Sequence, residues 1–207
     1  MEPNRERARA LAAESLNAGD PTGWFDKLYQ EGIEVVPWAE LRPNPNLVQF
    51  AGAGKTALVV GCGLGDDAEQ VAAWGFKTMA FDVSPTAIEA CKRRFPESPV
   101  RYETGDVLAP PEKWKRQFDF VLESYTVQAL PPDVRAQAIR GVASFVKDGG
   151  MLLVIARARE ERDPPGEMPW PLTRQELNLF TEFGLTETSF EDYMDGETRR
   201  FRVVLAR

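Results

Sequence analysis

Three glycines at alternate positions, Gly61, Gly63 and Gly65, separate the apolar run Ala57, Leu58, Val59 and Val60 from a pair of acids, Asp66 and Asp67. An apolar strand that turns through glycines into a helix brings backbone against a ligand, the arrangement that holds nucleotide-containing cofactors in open α/β sheets. Two more carboxylates end apolar runs. Asp82 closes FKTMAFD, where it could accept hydrogen bonds from both hydroxyls of a ribose, and Asp106 follows YETG, where it could accept from an exocyclic adenine amine. Each alone is an ordinary turn or cap residue. Three such features at the ends of three successive strands point to one adenosine-containing ligand.

The acids narrow the choice of ligand. A nicotinamide or flavin loop reads G-x-G-x-x-G; counted from Gly61 its last position is Asp66, and counted from Gly63 it is Ala68, which misplaces the loop relative to the strand. A pyrophosphate at the N-terminus of the following helix would also meet two like charges. S-adenosylmethionine has no phosphate and carries a sulfonium and an ammonium, so acids beside the loop are tolerated or useful. It is the cofactor expected here, with S-adenosylhomocysteine as product.

The chain contains no histidine. That removes imidazole as a general base, every Ser-His or Cys-His nucleophile and any histidine-ligated metal. The two cysteines, Cys62 and Cys91, make neither a disulfide framework nor a metal site. A net charge of −7 with scattered lysines and arginines argues against a nucleic-acid partner. The densest cluster, Lys92-Arg93-Arg94, is expected late in a helix, opposing its dipole. With 207 residues, 43% hydrophobic and 28% charged, the sequence fits one domain, a monomer or homodimer. No apolar run is long enough for a bilayer and the first residues lack the apolar core of a signal peptide, so the expected location is cytoplasmic.

The elements that must position these residues alternate from residue 57 onward. Strands are expected near 57–61, 76–82, 99–104, 118–123 and 150–156, with helices near 66–73, 85–95 and 132–146, stopped by Gly75, Pro96 and Asp148-Gly149-Gly150. Near-continuous apolar strands alternating with helices imply a parallel sheet covered on both faces. Residues 172–184 read as a helix with Thr173 as N-cap and Glu176 completing a capping box, ended by Gly184. Two strands around Asp195-Gly196 then make an antiparallel hairpin. Before residue 57, helices are expected near 4–17, 21–31 and 44–52. The expected fold is a Rossmann-like, doubly wound, seven-stranded α/β sheet, mostly parallel, comprising a single domain with residues 1–55 as a helical lid and 56–207 as core.

Taken together, GCGLG, FDVSPTAIEACKRRF, YETGDV and FDFVLESYTVQALPP resemble the four successive motifs of class I S-adenosylmethionine-dependent methyltransferases, and the terminal hairpin matches the antiparallel last strand of that fold. Within the class, Gly61 to Ala68 and the order Trp24-Phe25-Asp26-Lys27-Leu28-Tyr29, Gly32, Pro37-Trp38 resemble the thiopurine, thiol and halide methyltransferase group. Two positions depart from that group: Ala39 and then Glu40 stand where an acid often follows Pro-Trp, and Ser124 follows Glu123 where thiopurine enzymes carry an arginine. The resemblance implies that the N-terminal helices close over the cofactor, with Trp24 and Trp38 stacking near the sulfonium. It implies a cofactor set of those two residues with Gly61, Cys62, Gly63, Gly65, Asp67, Asp82, Val83, Ser84, Asp106, Val107 and Glu123.

On the acceptor side, Tyr125, Thr126 and Gln128 fall just past Glu123 at the mouth of the crevice, with Tyr125 the candidate catalytic residue. The loop after the fifth strand brings Arg157, Arg159 and Trp170 to the same edge, where an arginine could hold an anion, or pair instead with Glu160, Glu161 or Asp163. Displacement at a sulfonium by a thiolate, hydrosulfide or halide needs orientation and exclusion of water rather than a base. The expected activity is therefore methyl transfer to a soft nucleophile of a small molecule. Transfer to oxygen or nitrogen of a small metabolite, and a non-catalytic adenosine-ligand-binding domain, are the alternatives.

Overall fold

A computed structural model describes residues 2–47 and 55–207. Seven strands, β1 (Thr56–Val60), β2 (Lys77–Asp82), β3 (Arg101–Thr104), β4 (Phe118–Ser124), β5 (Val146–Arg157), β6 (Thr186–Asp195) and β7 (Thr198–Ala206), form one sheet of order β3-β2-β1-β4-β5-β7-β6. The β1–β2, β2–β3, β1–β4 and β4–β5 pairings are parallel and those of β7 antiparallel. The order runs outward in both directions from β1 and β4, so a crevice opens between the carboxyl ends of these two strands, where ligands of open α/β sheets bind.

Helices cover both faces, as the unbroken burial of β1 from Ala57 to Val60 requires. On one face α3 (Asp66–Ala73) and α4 (Pro85–Arg94) contribute Ala68, Val71, Ile88 and Cys91 to a core with Leu122, Leu153 and Ile155. On the other, α5 (Arg135–Phe145) and α6 (Arg174–Glu182) contribute Ile139, Val142, Leu177 and Phe180 against Val121, Leu152 and Val154. Alternate residues of β5 therefore point to opposite faces. A third cluster joins α1 (Glu2–Asn17) and α2 (Gly23–Gln30) to Leu64, Ala87, Ala90 and Met168. Among the described residues no helix is long and apolar enough to cross a membrane.

The expected α6 capping box forms in full, with Thr173 Oγ1 accepting from the Glu176 amide at 3.2 Å and Glu176 Oε2 from the Thr173 amide at 2.8 Å. Three expectations are corrected. The 132–146 helix begins as a 3₁₀ turn at Pro132–Val134, because consecutive prolines supply no N–H for an α-helical start, and ends at Phe145. Strand β5 starts at Val146 rather than residue 150, since Val146 pairs with Phe118 before a register shift brings Met151 opposite Phe120. The expected helix at 44–52 is absent over 44–47, a turn closed by the Leu47 amide on the Asn44 carbonyl at 3.1 Å; its remaining positions, 48–52, lie outside the described residues.

Candidate functional site

The glycine loop is built by backbone that only glycine adopts easily: Gly61, Gly63 and Gly65 have φ of 59°, 54° and 92°. Space forbids side chains as well. A Cβ on Gly61 would come within 2.3 Å of Thr126 Oγ1, and one on Gly65 within 2.7 Å of the Tyr102 hydroxyl. Cys62 is buried, with its amide on the Phe81 carbonyl at 2.9 Å.

Asp82 is buried at the end of β2 and receives the amides of Gly63 and Ser84, each at 2.9 Å. It thereby clamps the glycine loop to the β2–α4 turn, in which Val83 is partly buried. Burial pushes its carboxyl up to about 6, against the pull of those amides. Asp106 accepts from the Leu108 amide at 2.8 Å, and Val107 beside it is buried. Glu123, fully buried at the end of β4, takes the amides of Thr126 and Val127 on Oε1 at 2.8 and 2.9 Å. Its Oε2 is buried without a partner, and burial pushes this carboxyl up to about 7.

Several expected site residues are spent on structure. Ser84 caps α4, accepting from the Ala87 amide at 3.0 Å, and donates to Asp26 of α2 at 2.6 Å. Thr126 donates to the Val60 carbonyl at 3.0 Å, tying the ends of β4 and β1 together. Gln128, 3% exposed, accepts from the Arg157 amide at 2.6 Å through Oε1, and its carbonyl accepts from the Trp170 amide at 2.9 Å. The two tryptophans divide: Trp24 is enclosed at 1% exposure and stacks on Phe25, whereas Trp38 is 41% exposed and donates Nε1–H to the Tyr29 hydroxyl at 3.1 Å.

The acids beside the loop, expected to be tolerated or useful there, also have partners within the protein. Asp66 is gripped through both oxygens by Arg94 at 2.8 Å, so Arg94 ties α4 to the loop rather than merely opposing a dipole. Asp67 accepts from the Asn44 amide at 2.7 Å, and burial raises its carboxyl above the usual range.

At the acceptor edge Tyr125 holds φ of +62°, an unusual conformation for a bulky residue that aims the chain sharply as it leaves β4. Its hydroxyl oxygen accepts from Arg200 Nη1 at 2.6 Å, and Arg200 is held by Asp195 at 2.7 Å. Arg159 is engaged by the carbonyls of Pro171 and Asp163 at 3.1 and 2.9 Å. Arg200 carries no loop or motif signal, and Asn44 and Asn46 carry only a weak one. Asn44 also donates to Ser124 Oγ at 2.9 Å, and Asn46 is bonded to Asp195 and Tyr193 of the hairpin. A proline-asparagine repeat, Pro43-Asn44-Pro45-Asn46, was the available hint.

The arrangement fits a cationic ligand rich in hydroxyl donors. A carboxylate offers about four acceptor sites, Asp82 has amides on only part of its capacity, and Glu123 Oε2 is a buried oxygen with nothing to accept. Residues 57–150 match the family model described as a methyltransferase domain. The chain is similar to a probable thiol methyltransferase 2 from Arabidopsis thaliana, 27% identical over 165 residues that span 74% of this chain and 70% of that protein. It is similar to thiocyanate methyltransferase 1 from Brassica oleracea, 26% identical over 171 residues, 79% of this chain and 73% of that one. It shares its fold with the solved structure reported for the conversion of a disulfide bond into a thioacetal group during echinomycin biosynthesis, at a TM-score of 0.72 and 20% identity, covering 90% and 92% of the two chains. The chain is a class I S-adenosylmethionine-dependent methyltransferase that resembles the thiol methyltransferase group.

Proposed function

We propose that the methyl acceptor is the sulfur of a small molecule, attacking as an anion, in a cytoplasmic enzyme that acts on neither nucleic acid nor membrane. The observation that carries this reading is the polarity of the acceptor edge. The groups gathered past β4 are a hydroxyl and cations, Tyr125, Arg157 and Arg200, while Asp82 and Glu123 Oε1 take backbone amides and Glu123 Oε2 is buried. A site so furnished stabilises a nucleophile that is already deprotonated and has little to offer one that must lose a proton. The thiol and thiocyanate activities in the names of the two plant relatives support the same choice.

When bound, S-adenosylmethionine supplies a methyl on a sulfonium with a neutral thioether as leaving group. The loop from Gly61 to Gly65, with Asp82, Val83, Asp106 and Val107, would hold the nucleoside, and Glu123 and Asp67 would set the negative potential at the strand ends. The exposed Trp38 would offer a π face to the sulfonium. Tyr125, whose oxygen is occupied by Arg200, keeps its own O–H to donate to the incoming nucleophile. Residues 1–55 would act as the lid over the core at 56–207. In support, α1 reaches the Met168 carbonyl through Arg9 Nε at 3.1 Å, α2 reaches Ser84 through Asp26, and Asn44 reaches Ser124.

Product analysis with labelled S-adenosylmethionine and a panel of hydrosulfide, thiols, iodide, phenols and amines tests the acceptor. Methylated sulfur is expected, and exclusive methylation of oxygen or nitrogen overturns the reading. Calorimetric titration of Asp82→Ala checks the cofactor half, where affinity should fall at least roughly tenfold, the worth of hydrogen bonds to a charged group; unchanged affinity removes Asp82 from the site.

A further inference from the structure

Arg157 ends β5 and stands directly opposite Arg200 of β7 in the antiparallel register. Like charges directly opposite on a sheet destabilise it, so the pair needs a reason. Arg200 is compensated by Asp195 and by the Tyr125 hydroxyl, and its guanidinium lies 5.3 Å from the Tyr125 ring centroid. Among the described residues the guanidinium of Arg157 has no ion pair and no hydrogen bond, although the chain carries 32 acids against 25 lysines and arginines. Arg5 of α1 is likewise without an ion pair among the described residues, and it adds to the repulsion: Arg157 is held below the usual arginine range by burial first, then by Arg5 and Arg200. The backbone position of Arg157 is nonetheless fixed, by the Gln128 side chain on its amide at 2.6 Å and by the Leu172 amide on its carbonyl at 2.8 Å.

Its side chain also lies on the right face. Leu153 and Ile155, with the same parity along β5, point into the core shared with α3, α4 and the ring of Tyr125. Arg157 therefore emerges at the carboxyl edge on the glycine-loop face of the sheet, beside Tyr125. An uncompensated cation, partly buried and anchored by its backbone there, is built for an anion that arrives from solution.

We infer that Arg157 is the specificity residue for a negatively charged group, of the carboxylate class, carried by the methyl acceptor in addition to its nucleophilic atom. This rests on the sulfur reading above for the identity of that atom, but not for the charge. Small mercapto acids are then preferred over neutral thiols of the same size.

Titration of the protein loaded with S-adenosylhomocysteine, which cannot transfer a methyl, tests binding apart from chemistry. The probes are 3-mercaptopropanoate and 2-mercaptoethanol, on wild type, Arg157→Met, Arg157→Lys and the control Arg202→Met. Wild type is expected to prefer the acid, and Arg157→Met to reduce that preference by roughly tenfold to a hundredfold, the worth of a charge-assisted bond. Arg157→Lys should retain part of it, and Arg202→Met, whose arginine pairs with Glu191, should retain it all. Because Arg157 is unpaired, Arg157→Met should fold with an undiminished Tm, whereas an arginine with a structural role would lower it. An equal preference in wild type and Arg157→Met overturns the inference. Arg157-dependent binding of the acid without methylation of any thiol leaves it standing and sinks the sulfur reading; methylation of acidic and neutral thiols with the same preference in both proteins does the reverse.

Discussion

Two arginines, one at the start of α5 and one at the end of β5, are treated in opposite ways. Arg135, at the start of α5, is 1% exposed and fully spent: its guanidinium pairs with Glu176 of α6, while Nε donates to the Leu130 carbonyl at 3.2 Å and Nη2 to the Trp170 carbonyl at 2.9 Å. Arg157 is partly buried, faces two other arginines and has no counter-charge among the described residues. A buried charge with every bond made holds elements together, here the chain around the α5–α6 junction; a charge left without a partner in an acidic chain is available to something else. The same contrast separates the glycine-loop half, where Asp66, Asp67 and Asp82 are all bonded within the protein, from the β5–β7 edge.

The largest effect should come from breaking the satisfied arginine. Glu176→Ala leaves Arg135 buried without its counter-ion and removes the α6 capping box, so denaturant titration should show a loss of about 3–5 kcal/mol. A loss under about 1 kcal/mol would mean that solvent replaces Glu176 and that Arg135 is not the structural member of the comparison.

Next is Glu123. Its folded carboxyl, pushed up to about 7 against an ordinary 4.5, holds its proton over an interval in which the unfolded chain has lost it. Stability must therefore fall as the pH rises from about 4.5 to about 7 and level off above, by on the order of 3 kcal/mol. Asp82, raised from 3.8 to about 6, acts in the same direction over a lower interval. Glu123→Gln, which cannot ionise, should reduce the slope of the Tm profile between pH 6 and 7 to the remainder that Asp82 supplies as its own titration ends; an unchanged slope there would show that Glu123 does not titrate in this range.

A smaller effect belongs to the strap that joins the halves. Asn44→Ala loses the bond to Ser124 and the two that its Oδ1 accepts from the amide and side chain of Asn46, which should cost about 1–3 kcal/mol. Thermal melts that show no change would separate residues 44–47 from the sheet energetically. The smallest effect is the most telling: Arg157→Met should alter stability by no more than about 0.5 kcal/mol in either direction. A loss comparable to that of Glu176→Ala would erase the distinction between the two arginines.

How much of this the sequence carried follows from the range over which each feature is decided. The strand-turn-helix of the glycine loop, the α6 capping box and the Asp195-Gly196 hairpin are fixed by residues within a few positions of one another, and all three form as expected. Asp82 was also visible, because an acid at the end of an apolar strand is a local anomaly, whereas Glu123 entered only through the resemblance. The commitments of Ser84 to Asp26, of Gln128 to Arg157 and of Arg94 to Asp66 are not local: each joins residues between 28 and 58 positions apart. So does the cross-strand placement of Arg200 against Arg157, which depends on the register of a terminal strand. Polar residues in such positions read as site candidates until the partner that satisfies them is known.

Incubation of the protein with labelled S-adenosylmethionine and an equimolar mixture of a thiol, a phenol and an amine, followed by identification of the labelled product, tests the central claim most directly. Label on sulfur with stoichiometric S-adenosylhomocysteine is the result predicted here. Label confined to oxygen or nitrogen, with the thiol unmodified, would contradict it.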